Sequence, residues 1–286
     1  MAKDEKVAIV TGSNKGIGYG TVKGLCQKFD GIVYLTARDE KKGQDALQAL
    51  KDKKVCKNND NVRFHQLDVL NETSIHKLHD DIQTQHGGLD ILVNNAGIIY
   101  RGNAPFGQQA ETTLATNFFA LVTVCHMLFP LLRPHARVVN VASQFGMLYK
   151  VPSQELKQTL LNDSLTEDQL VGMMHDYVKL AKEGKDQEAG WPDDPYTVSK
   201  VGVIKLSFIQ HATLSKDQTR PDIIVNAVHP GYVNTDLTGH KGILTTEQGS
   251  VSSVKGALIP PDAKEPRGQF IWYDGSIVDW NAVSPP

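Results

Sequence analysis

Cysteine is scarce in this chain: among 286 residues there are three, Cys26, Cys56 and Cys125, with no C-x-x-C pair and no even-numbered set. That excludes a disulfide-rich framework and points to a reducing compartment in which the thiols are buried or idle. An excess of charge is missing too. With 30 basic against 32 acidic residues and a net charge of −2, there is no electrostatic drive toward nucleic acid or an anionic membrane, and small molecules are the expected partners. No apolar run is long enough to cross a bilayer. The most apolar stretch, 118 to 132, carries His126 and Pro130 and is expected to be a buried helix. The opening MAKDEKVAIVTG passes from a charged turn into an apolar strand without the apolar core of a secretory signal, so a cytoplasmic chain is expected. Internal repeats, coiled-coil heptads and low-complexity tracts are absent, no metal site is expected, and the closing SPP reads as a frayed end.

What the sequence does hold is an alternation. Short runs rich in Val and Ile recur between longer helical patterns: VAIVTG at 7–12, IVYLTA at 32–37, VRFHQLD at 62–68, ILVNNAG at 91–97, RVVNVAS at 137–143, DIIVNAVH at 222–229 and QFIWY at 269–273. Such near-continuous apolar strands suit burial on both faces. The fold class implied is α/β: one Rossmann-type, doubly wound parallel sheet of about seven strands flanked by helices, forming a single domain over residues 1–286.

Two segments break the rhythm. Residues 151–191 are too long for a loop; Thr166 and Gln169 have capping-box spacing, and Leu170, Met174, Tyr177, Val178 and Ala181 form a helical stripe, so a packed helical insert is expected. Residues 232–255 are rich in Gly, Thr and Ser and follow the sixth strand, at the end of the sheet where such folds hold ligands. A mobile substrate lid and an idle surface loop both fit that composition.

The first strand runs into Thr11-Gly12-Ser13-Asn14-Lys15-Gly16-Ile17-Gly18. Glycines at this spacing allow a tight turn in which main-chain amides at a helix start approach a pyrophosphate, although a merely tight strand-to-helix turn gives the same pattern. The second strand ends at Arg38-Asp39, where an acidic side chain binds the adenosine ribose in NAD enzymes. Arg38 instead offers a fork for a 2′-phosphate, and Lys15 a second positive charge, so NADPH/NADP+ is the expected cofactor. Asp39, one residue on, is the alternative: its carboxylate suits the bare ribose hydroxyls of NAD.

Tyr196 and Lys200 stand four apart at the start of a helical stretch and share a face. An ammonium beside a phenol, together with positive charge developing on a nicotinamide, lowers the phenol's pKa and suits it to acid catalysis. On its own the pair is an ordinary helix pair. Its place in an order of motifs gives it meaning: glycine loop, Asn94-Asn95-Ala96-Gly97 after the fourth strand, Ser143 at the end of the fifth strand, then Tyr196 and Lys200. The ordered set resembles the short-chain dehydrogenase/reductase superfamily over nearly the whole chain. It is most similar to the NADPH-dependent carbonyl reductase branch, through TGSNKGIG, LTARD, FHQLD, RVVNVAS and the long insert before Gly190-Trp191-Pro192.

The resemblance implies reduction of ketones, aldehydes and quinones to alcohols, with Tyr196 as proton donor, Ser143 polarising the carbonyl, Lys200 on the nicotinamide ribose, and the Asn117 side chain holding a water that links Lys200 to solvent. It also implies cofactor contacts from Gly12, Asn14, Lys15, Gly16, Ile17, Gly18, Arg38, Asp68, Val69, Asn94, Ala96, Gly97, Pro230, Gly231, Val233 and Thr235, with adenine against Asp68 and Val69 and adenosine beside Asn94. Ser143, Tyr196 and Tyr232 are expected at the substrate. Where related enzymes carry neighbouring cysteines this chain reads Ala227-Val228-His229-Pro230, and Tyr232 stands where relatives have tryptophan. Thiol regulation is therefore not expected there, and the pocket is expected to be wider or more polar. The insert implies a monomer, its stripe covering the face through which the superfamily pairs. An NAD-dependent alcohol dehydrogenase and a non-catalytic NADPH-binding sensor are the competing readings.

Overall fold

The computed structural model describes residues 5–57 and 59–284; the first four residues of the N-terminal stretch and the last two of the SPP end lie outside them. Eight strands form one sheet in the order β3-β2-β1-β4-β5-β6-β7-β8. The first seven run parallel: β1 (Val7–Val10), β2 (Ile32–Ala37), β3 (Val62–Gln66), β4 (Leu89–Asn94), β5 (Leu132–Val141), β6 (Ile224–Val228) and β7 (Phe270–Ile271). The seven apolar runs of the sequence are these strands. The eighth, β8 (Ile277–Val278), returns antiparallel on β7; two residues leave no periodicity from which to foresee it.

The strands are apolar throughout because both faces are covered. Along β1, Val7 and Ile9 enter one hydrophobic core while Ala8 and Val10 enter the other. The second core is roofed by α1 (Gly16–Lys28) and α2 (Glu40–Asp52). The first is roofed by α3 (Glu72–His86), α4 (Phe106–Leu114), α5 (Ala120–Leu128) and α8 (Pro195–Leu214). Between α4 and α5 the helix widens for one π turn, Ala115–Phe119. The apolar stretch read from the sequence is thus part of a longer helical run, Phe106–Leu131, long and apolar enough by composition to span a bilayer. It is mostly buried in the protein and packs as a core helix.

The insert is helical, as its pattern predicts: α6 (Gln154–Leu161) and α7 (Glu167–Glu183). Thr166 and Gln169 form the capping box, and Leu170, Met174, Tyr177 and Ala181 are buried, with Val178 at the margin. The helix α7 lies along α4 and α8: Met174 reaches Gly202, His175 stacks on Phe119 with centroids 4.1 Å apart, and Lys182 pairs with Glu111 at 2.7 Å. After β6 the chain forms α9 (Thr246–Gly249) and α10 (Val251–Ala257).

The thiols depart from expectation. Cys26 near the end of α1 and Cys56 beyond α2 are joined in a disulfide with their Cα atoms 4.8 Å apart, and only Cys125 is a free, buried thiol. Thirty residues of sequence separate the pair, and adjacency arises only because α1 and α2 pack on the same side of the sheet. The step from few cysteines to a reducing compartment loses its premise.

Candidate active site

The order of strands reverses between β1 and β4, opening a crevice at their carboxyl ends. The glycine loop lies on its rim. Gly12 and Gly16 both take left-handed backbone (φ 59° and 60°), which glycine adopts without penalty. Gly18 is needed for closeness: a Cβ there would lie 2.5 Å from Asn95 Nδ2 and 2.8 Å from the Gly12 carbonyl oxygen. The loop is braced from below. Ser13 Oγ donates to the Val10 carbonyl (2.7 Å) and accepts from Thr36 N (2.9 Å), while Asn95 Nδ2 donates to the Thr11 and Gly12 carbonyls, both at 2.9 Å. Asn95, passed over in favour of Asn94 by motif matching, is the residue that holds the loop. Asn94 faces the other way: its amide donates to Asn140 Oδ1 (2.9 Å) and Cys125 Sγ (3.2 Å) inside the core. Its side chain also borders the small cavity lined by Thr11, Val69 and Ala96, while both amide donors serve the buried network.

The loop fits a pyrophosphate. No side chain caps the start of α1 and its first turn carries no acidic residue, so the leading amides keep their capacity for an anion. Across the crevice, Thr235 Oγ1 is buried with no partner among the described residues, and its side chain lies 3.4 Å from where a Cβ of Gly16 would be. A buried hydroxyl left unpaired beside free helix amides is a site prepared for acceptor oxygens. Val233 is buried and bridged to Leu244, Gly231 takes left-handed backbone (φ 83°), Pro230 is buried, and Tyr232 is exposed beside them. Asp68 caps a local turn through Leu70 N (3.0 Å), and Val69, Ala96 and Thr11 line a small cavity between β1, β4 and the α4–α5 run.

The charges at the end of β2 sort themselves. Asp39 caps α2, its Oδ1 accepting from Lys42 N at 2.9 Å. Arg38 is exposed, and no described residue pairs with its guanidinium. Lys15 differs from expectation: its ammonium donates to Asp236 Oδ2 at 2.5 Å, tying the glycine loop to the segment after β6, because that carboxylate is the nearest countercharge across the crevice. Between α1 and α2 runs a groove of about 430 Å³ whose lining adds Lys42 and Lys53 to Asn14 and Lys15. Neither Lys42 nor Lys53 stands in a motif; only the packing of α1 beside α2 collects them.

Tyr196 and Lys200 are set by the start of α8. Asp194 caps it, accepting from Tyr196 N (3.1 Å), Thr197 N (3.0 Å) and Thr197 Oγ1 (2.6 Å), and Pro195 at the first helical position pre-sets the turn. Lys200 is buried; its Nζ donates to the Val141 carbonyl at 2.8 Å and lies 5.6 Å from the centre of the Tyr196 ring. Ser143 follows β5 in extended backbone, and its hydroxyl lies near enough to the Tyr196 phenol to pull its pKa down. Ser143, Tyr196 and Lys200 thus converge as the motif order predicts.

Burial pushes the Tyr196 phenol up to about 12, more than the Ser143 hydroxyl lowers it, while Asp194 raises it further. Burial pushes Lys200 down to about 8. Desolvation is the largest influence on both groups, and Tyr196 is a neutral acid at neutral pH.

Asn117 lies in the π turn, a feature that recurs at functional sites. Its Oδ1 accepts from Ile98 N (2.8 Å) and its Nδ2 donates to the Ile98 carbonyl (2.9 Å) and to Ser199 Oγ (3.1 Å). Both amide donors are spent on protein, so the side chain clamps the segment after Gly97. Ser199, buried and donating to the Tyr196 carbonyl at 2.7 Å, joins this clamp to α8 and stands in no motif.

A family model described as short chain dehydrogenase matches residues 6–155. Carbonyl reductase (NADPH) 1 of Mus musculus is 44% identical over 283 residues, covering 98% of this chain and all of that protein. Carbonyl reductase (NADPH) 3 of Rattus norvegicus is likewise 44% identical with the same coverage. Among solved structures, salutaridine reductase of Papaver somniferum superposes with a TM-score of 0.82 at 32% identity, covering 94% of this chain and 99% of that one. By the matched family model, by these full-length relatives and by the same sheet built around a glycine loop, the chain belongs to the short chain dehydrogenase family.

Proposed function

We propose that the chain is an NADPH-dependent carbonyl reductase, turning ketones, aldehydes or quinones into alcohols. The observation that carries the reading is the Tyr196 phenol beside Ser143 with the buried Lys200 ammonium 5.6 Å from its ring, next to a glycine loop with unspent amides. The names of the relatives, carbonyl reductase (NADPH) 1 and 3, support the same activity. The dinucleotide, when bound, supplies a hydride. Gly12, Gly16, Gly18 and Thr235 hold its phosphates; Arg38 takes the 2′-phosphate, joined by Lys15 once that ammonium leaves Asp236. The state of Asp39 favours NADPH over NAD, since its carboxylate is committed to the α2 cap.

The protein's own part is proton delivery and polarisation. Ser143 donates to the carbonyl oxygen, where negative charge develops, in a geometry fixed before substrate arrives. Tyr196 gives that oxygen its proton and is left as phenolate. Lys200, close below, stabilises the phenolate by its charge. Tyr232, exposed on the segment after β6, stands at the substrate side. One catalytic domain, acting as a monomer, completes the reading. Tyr196→Phe is expected to abolish NADPH consumption against a panel of carbonyl compounds while leaving NADPH fluorescence titration unchanged; unchanged turnover in that variant removes the catalytic assignment.

A further inference from the structure

His229 stands in the run Ala227-Val228-His229-Pro230 and is 5% exposed. Strand β6 lies in register with β5, Val228 opposite Val141, which brings His229 level with the residue before Ser143. Its main chain is fixed on both sides: its N–H donates to the Ile271 carbonyl (2.8 Å) and its carbonyl accepts from Ser252 Oγ (3.2 Å). The ring rests on Trp272, with centroids 4.3 Å apart. Its Nδ1 lies 3.2 Å from the Gln144 main-chain nitrogen. A main-chain N–H only donates, so Nδ1 carries no proton and the ring is neutral with its proton on Nε2. Burial, which pushes this imidazole down to about 4, keeps it in that form at neutral pH.

The Gln144 amide matters because of the turn that succeeds Ser143. The chain bends at once into a single 3-10 turn, Gln144–Gly146, whose first amides need acceptors. Phe145 N donates to Ser143 Oγ at 3.2 Å; Gln144 N goes to His229. The Ser143 hydroxyl also lies near enough to the Tyr196 phenol to lower its pKa. Without the imidazole, the Gln144 amide becomes a partly buried donor with no acceptor, and the turn must shift to find it one. Ser143, one residue earlier and held to the same turn through Phe145 N, shifts with it, and its hydroxyl moves away from Tyr196.

We propose that His229 is a positioning residue for Ser143: its Nδ1 takes the Gln144 amide and so leaves the serine hydroxyl aimed at Tyr196 and the substrate oxygen. The proposal rests on the carbonyl-reductase reading. It is tested with the full chain as His229→Ala, His229→Asn and His229→Gln, measuring kcat and KM for a reactive ketone and NADPH affinity by fluorescence. Asparagine places an acceptor near the position of Nδ1; glutamine reaches toward Nε2 and leaves the Gln144 amide unserved. Alanine is expected to lower kcat by about ten- to a hundredfold, the scale of a misplaced catalytic group, with NADPH affinity at the wild-type value, and asparagine to recover most of the loss. Should alanine fail to fold, an active asparagine variant beside an impaired glutamine variant supports the proposal. It is overturned if alanine matches wild type, if asparagine is as impaired as alanine or glutamine, or if the loss lies in NADPH affinity. Wild-type protein that reduces no carbonyl overturns the functional reading instead.

Discussion

Arg38 and Asp39 are neighbours of opposite charge with different fates. The aspartate is bound into the start of α2, whereas the guanidinium projects with no described partner. The sequence holds the signal for this, since an Asp directly before a helix that follows a strand is a preferred cap; weighing Asp39 as a ribose ligand ignored that competing use. Arg38→Asp is therefore expected to lower the ratio of kcat/KM with NADPH to that with NADH by at least about tenfold, as loss of a hydrogen-bonded charge contact implies; an unchanged ratio refutes the assignment. Tyr196, Lys200 and Ser143 were legible as residues because their order along the chain is distinctive. Their protonation was not, because it follows from burial, which no spacing reports. Asn94 and Asn95 show the same limit. Adjacent on a strand end, they point to opposite sides, and only the packed sheet reveals that Asn95 grips the glycine loop while Asn94 serves the core.

Elements whose signals are local were readable in detail. The capping box and stripe of α7 specify where it starts and which face it buries, and the structure has both. The π turn around Asn117 and the two-residue β8 were not readable: the first is a one-residue departure from an otherwise helical pattern, and the second is made by pairing with β7. The Cys26–Cys56 bond belongs with these, as it joins the end of one helix to the segment after the next. Closing a loop of that length restricts the unfolded chain by about 3–5 kcal/mol. Urea denaturation is expected to shift to lower concentration when dithiothreitol is added to the wild type and to be indifferent to it in Cys56→Ser; equal midpoints for wild type with and without reductant would show that the bond contributes nothing.

At the scale of the whole molecule, the alternation of apolar strands and helices foretold one doubly wound sheet, and one sheet carries every described strand. The insert decides the outer surface. Because α7 packs along α4 and α8, with Met174, His175 and Lys182 on their faces, those helices have their partner within the chain. Sedimentation is expected to give 31.4 kDa across a wide range of concentration; a dimer that persists on dilution would contradict it. The Lys15–Asp236 pair bears on a different property, the traffic of cofactor. It joins the two lips of the crevice with side chains that are 67% and 57% exposed, and exposed pairs of this kind contribute little to stability. Such a gate opens often at little cost, and the phosphate that passes it offers Lys15 a replacement for the carboxylate it gives up. Added salt loosens the gate and screens the incoming phosphate together, so ionic strength sets how fast the dinucleotide enters and leaves as well as how tightly it is held.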